Sequence, residues 1–120
     1  MKLNIHSIDM HHEEYTGTFE SEVKVEEGVK TYVYSDDHGE VTIKISGETM
    51  SIRRSGAIRY EQVFKNDNMV NFMYQSNYLE SILTLVTKEL IIESNNIKVS
   101  YELYNDGLLV NDVKMSISEE

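Results

Sequence analysis

The stretch Ile52-Arg53-Arg54-Ser55-Gly56-Ala57-Ile58-Arg59-Tyr60 decides how this chain folds. Apolar and polar residues alternate up to Ser55-Gly56 and resume beyond it. Alternation with a period of two marks a strand with one buried face. A glycine at the break accepts the positive φ that tight hairpin turns need. The stretch therefore reads as two antiparallel strands joined by a short turn. Met50, Ile52 and Arg54 share one face of the first strand. Arg54 then points inward and Arg53 outward.

The same pattern recurs on both sides. Leu3 and Ile5 share a face, as do Tyr15, Gly17, Phe19, Ser21, Val23 and Val25 on a longer second strand. Val29 to Tyr34 carries apolar bulk on both sides. Further stripes are Val41-Ile43-Ile45, Ile58-Tyr60-Phe64, Val70-Phe72-Tyr74, Leu90-Ile91-Ile92, Ile97-Val99-Tyr101-Leu103 and Leu109-Val113-Met115-Ile117. Gly, Asn and Asp fill the breaks, at Glu26-Glu27-Gly28, Asp36-Asp37-His38-Gly39, Ser46-Gly47, Asn66-Asp67-Asn68, Asn95-Asn96 and Asn105-Asp106-Gly107. These residues tolerate the turn conformations. Connections this short forbid parallel crossovers.

Leu79, Ile82, Leu83 and Val86 fit a helical spacing, but Ser81 to Thr87 is rich in β-branched residues and free of charge. That favours a strand buried on both faces over the helix, and leaves room for a single helical turn just before it, near Ser76-Asn77-Tyr78. The expectation is one all-β domain over 1–120, an antiparallel barrel of 8–10 strands. Closure would remove the exposed edges that no proline is present to blunt.

Composition limits the function. The 120 residues carry 21 acidic and 11 basic side chains, a formal charge of −10. Nucleic acid and anionic membranes repel such a surface. There is no cysteine, which excludes disulfides and thiolate chemistry. The start of the chain lacks a signal-like apolar run, and a cytoplasmic protein is expected. His11-His12 with Asp9, Glu13 and Glu14 holds metal-ligand residue types. Adjacent histidines on a strand diverge, so the cluster reads as a solvated loop and no metal is expected. The carboxylate pairs Glu13/Glu14, Glu26/Glu27 and Asp36/Asp37 fall in breaks, where water keeps carboxyls ordinary. No nucleophile elbow or phosphate loop is present. The chain is not expected to be an enzyme or to hold a cofactor; an enzyme would have to use His6, His12 or Glu102 as base.

Two features invite a ligand. An inward guanidinium needs a partner, which could be Glu102, Glu93, turn carbonyls or an anionic ligand. Eight tyrosines and no tryptophan offer hydroxyls at the ends of apolar bodies. Tyr32, Tyr34, Tyr60, Tyr74, Tyr78, Tyr101 and Tyr104 are candidate liners of a cavity, with Arg54, Tyr60 and Tyr101 as its binding residues. The competing expectation is an acidic module that docks on a basic protein. The chain is expected to be a monomer or weak homodimer.

The run Ile52 to Phe64 resembles the YwiB-like family of bacterial proteins of unknown function. An Arg-x-Gly hairpin followed by a strand ending in Phe is matched by Arg54, Gly56 and Phe64, and a later threonine by Thr87. The glycine usual upstream of that threonine has no counterpart in Asn77-Tyr78-Leu79-Glu80. The resemblance implies a calycin-like barrel, the architecture of lipocalins and fatty-acid-binding proteins. It implies no activity. A small amphipathic or anionic ligand inside the barrel would follow from that architecture by analogy alone.

Overall fold

The computed structural model describes residues 1–120, with eleven strands and no helix. They are β1 (Lys2–Asp9), β2 (Glu14–Glu20), β3 (Glu22–Glu26), β4 (Val29–Asp36), β5 (Gly39–Ser46), β6 (Thr49–Gly56), β7 (Ile58–Phe64), β8 (Met69–Ser76), β9 (Glu80–Ile92), β10 (Asn96–Asn105) and β11 (Leu108–Glu119). Every pairing is antiparallel, in the order β2-β1-β11-β10-β9-β8-β7-β6-β5-β4-β3. The first and last strands of that order are consecutive in the chain, so the sheet curls into a nearly closed barrel. The count exceeds the expected 8–10 because the long second strand is two strands.

Ser21 is the corner between them. Its N–H donates to the Met1 carbonyl at 2.8 Å, and its hydroxyl donates to the Val33 carbonyl at 3.2 Å. Before the corner the chain pairs with β1; after it, with β4. Pairing of β3 with β4 stops at Val33, so Tyr34 to Asp36 have no ladder partner on that side. A second split lies between β7 and β8, which share only Ile58↔Ser76 and Arg59↔Gln75. Side chains close it. Tyr60 stacks on Tyr74 at 6.0 Å and meets Phe72 edge-on at 6.2 Å. Asn66 substitutes for ladder bonds, accepting from Leu90 N–H at 2.7 Å and donating to its carbonyl at 3.0 Å.

Residues 80–92 form one strand, and the helical alternative is absent. That strand is not buried on both faces: Leu83 and Leu85 face inward, whereas Ile82 is 61% exposed. The pairing of β9 with β10 skips Lys88, a bulge that lets Thr87 and Leu90 both face inward. A second bulge at Val110 in β11 turns Leu109 outward, against its expected stripe.

The centre is packed by Leu3, Val41, Ile43, Met50, Phe64 and Leu85, all essentially inaccessible. Thr87 lies among them, 1% exposed, and its hydroxyl has no hydrogen-bond partner. An unmade bond at a buried hydroxyl costs about 1–3 kcal/mol. Thr87→Val is therefore expected to raise the urea midpoint, by about 1 kcal/mol of stability. A lowered midpoint would mean that the hydroxyl is bonded in solution.

Candidate binding cavity

Inside the barrel lies a cavity of about 200 Å³. Its walls include Ile5, Val41, Ile43, Ile52 and Ile117. Polar groups reach it from six strands: Ser7 on β1, Tyr15 on β2, Tyr34 on β4, Arg54 on β6, Tyr60 and Gln62 on β7, and Tyr101 on β10. Alternation explains their convergence, since each lies on the inward stripe of its strand.

Arg54 is inward, as expected, but its partner is neither Glu102 nor Glu93. It forms a fork with Asp36, Nη1 to Oδ1 at 2.7 Å and Nη2 to Oδ2 at 2.8 Å. Nε donates to the Tyr60 hydroxyl at 3.4 Å. Both ends of the ion pair are largely buried, with side-chain exposures of 15% and 11%. Asp36 is the last residue of β4, not a solvated turn carboxylate. The bond from Arg54 holds its carboxyl below the ordinary value, against the opposing effect of burial, and the His38 N–H adds to this.

The other polar groups are less well served. Tyr34 is 7% exposed, Gln62 8% and Tyr101 8%. None of the three side chains is hydrogen-bonded to a protein group, and their polar atoms stay open to the cavity, since Thr87 Oγ1 is the one fully sealed side-chain atom without a partner. Burial raises the pKa of both tyrosines well above the ordinary phenol value, so both stay protonated donors at neutral pH.

Access to the cavity lies where β4 loses its partner. A depression of about 650 Å³ opens there, lined by Tyr15, Phe19, Ser35, Asp36, Asp37, His38 and Arg54. Tyr15 and Arg54 also line the cavity, so the two spaces adjoin. The Phe19 ring stacks on Tyr34 at 4.7 Å and narrows the opening. The opposite end of the barrel is tied by Glu119, which accepts from both Lys30 and Tyr32.

Of the sequence candidates, Arg54, Tyr60 and Tyr101 do converge. Tyr34 also belongs to the cavity; Tyr32 lies at the far end and Tyr78 is 98% exposed. Sequence reasoning missed Gln62, although it sits two residues after Tyr60 on the same face, and Asp36, which ends a strand beside a turn. The histidines stay outside. His6 pairs with Glu14 at 2.7 Å on the surface, and His11 approaches the Val110 carbonyl at 3.3 Å. No group of three or more His, Asp or Glu side chains gathers as a metal site.

A nearly closed antiparallel sheet of eleven strands defines an all-β barrel domain, here with an internal arginine. The chain belongs to the family described as Domain of unknown function (DUF1934), whose pattern matches residues 2–117. The fold is similar to that in the crystal structure of ywiB protein from Bacillus subtilis. The two share 18% identity at a TM-score of 0.79, covering 99% of this chain and 90% of that one. That match bears out the barrel. No curated protein matches the chain.

Proposed function

We propose that this domain is a non-enzymatic cytoplasmic binding module that holds a small amphipathic molecule inside the barrel. One observation carries the reading: Tyr34, Gln62 and Tyr101, each over nine-tenths buried, bring unpartnered polar groups to one cavity. Their polar atoms stay accessible from the cavity, unlike the sealed Thr87 hydroxyl, so the cluster is free to bond a guest in place of water. The apolar walls suit the guest's hydrocarbon surface. At about 200 Å³ the space equals roughly seven water molecules at about 30 Å³ each, too little for a long acyl chain. The alternative, an acidic module docking on a basic partner, draws on the net charge alone and has no comparable site.

The test is a screen of small fragments by heteronuclear NMR. Binders are expected to shift the side-chain amide of Gln62 and the backbone amide of Tyr101. Ile52→Phe, which fills the cavity, is expected to abolish those shifts while the chain stays folded. If no fragment perturbs either residue, or the filled variant binds as well, the reading fails.

A further inference from the structure

Resting on that reading, we infer that the guest is a neutral planar molecule with an amide or lactam edge, held by the side-chain amide of Gln62. A carboxamide presents a donor and an acceptor side by side in one plane. Its complement is the same pair reversed, as another amide or a lactam offers. Two parallel hydrogen bonds then satisfy both ends of Gln62. The ligand carbonyl keeps a second lone pair, which either tyrosine hydroxyl can satisfy by donating to it.

Charge makes the same choice. Arg54 is the one cationic side chain lining the cavity, and Asp36 already matches its charge through two hydrogen bonds. An anionic guest would bring an unmatched buried charge into a chain of formal charge −10. A cation would face the guanidinium. A neutral guest meets neither penalty. Shape agrees, because the cavity is small and the rings of Tyr34, Tyr60 and Tyr101 contribute to its lining. Aromatic faces favour a flat guest.

The experiment compares three rings of nearly one shape: benzamide, benzoate and toluene, titrated into the folded chain and followed by NMR shifts and thermal stability. Benzamide is expected to bind saturably at Gln62, about tenfold or more tighter than benzoate. Gln62→Leu, which removes both bonds, is expected to weaken benzamide about tenfold or more and to leave toluene unchanged or improved. Gln62→Glu is expected to shift preference from benzamide to benzamidine, a readout that general loss of structure would not produce. Benzoate binding as tightly as benzamide overturns the inference, as does benzamide binding that ignores Gln62→Leu. Toluene binding alone overturns it too, yet leaves a ligand-binding barrel. Failure of all three probes to enter overturns both.

Discussion

Asp36→Ala is expected to lower the stability of the domain by about 3 kcal/mol, the scale for removing one partner of a buried ion pair. The physical cause is less the lost attraction than what is left behind. Arg54 keeps its full charge, is only 15% exposed, and retains one side-chain partner, the Tyr60 hydroxyl at 3.4 Å. Removing the charge as well is expected to restore most of the loss. The double variant Asp36→Leu with Arg54→Met is expected to lie within about 1 kcal/mol of the parent, since apolar replacements of a buried pair are often neutral. A double-mutant cycle from urea midpoints measures the coupling. Additive single effects would show that the pair contributes nothing beyond packing.

The same pair sets a pH dependence. The folded-state pKa of Asp36 is depressed below its ordinary value of 3.8. A depressed carboxyl contributes stability that is complete above its unfolded pKa and is lost as pH falls through the folded one. The difference between parent and Asp36→Asn is therefore expected to be constant between pH 5 and 8. It is expected to shrink progressively below about pH 3.8. A difference that grows on acidification would contradict the ion pair.

The barrel was legible because alternation is a local property that long-range contacts merely confirm. Leu3, Ile5, Met50, Ile52, Val41 and Ile43 all lie inward where the period of two places them. What escaped was what breaks the period. The bulges at Lys88 and Val110 each add one residue, which reverses the facing of everything beyond. Leu109 was misplaced for this reason. The corner at Ser21 interrupts no pattern at all, since the stripe Phe19-Ser21-Val23 runs straight through it. Only the change of partner from β1 to β4 divides the strand. The cavity was half legible. Facing can be read from one strand, which identified Arg54, Tyr60 and Tyr101. Pairing depends on the neighbour: Arg54 lies opposite Val41 on β5, and Asp36 comes from the strand beyond. No spacing along the chain encodes that reach.

Gly39→Ala is expected to be the most disruptive single methyl addition in the chain. Gly39 and Gly56 face each other across β5 and β6, with φ of +132° and +116°. A Cβ on Gly39 would lie 1.9 Å from the Ser55 carbonyl oxygen, and one on Gly56 would lie 2.7 Å from that of His38. Both obstacles are backbone, so neither can swing aside. Backbone strain of this kind costs about 1–3 kcal/mol before any clash is counted. Gly39→Ala is thus expected to cost more than about 3 kcal/mol, or roughly 10 °C in Tm for a domain of this size. Gly47→Ala is the control. Gly47 also has positive φ, +58°, but a Cβ there meets nothing within 4 Å. It is expected to cost only about 1 kcal/mol. The consequence should reach the cavity. The His38 carbonyl accepts from Ala57 N–H at 3.2 Å, and the His38 N–H donates to Asp36 at 2.9 Å. The two glycines therefore hold the β4–β5 turn against the end of β6, where Asp36 meets Arg54. Gly56→Ala, if folded, is expected to perturb the Arg54 side-chain NMR resonance as strongly as the turn itself. A variant that loses stability while that resonance stays fixed would separate the glycine pair from the ion pair and confine its role to the turn.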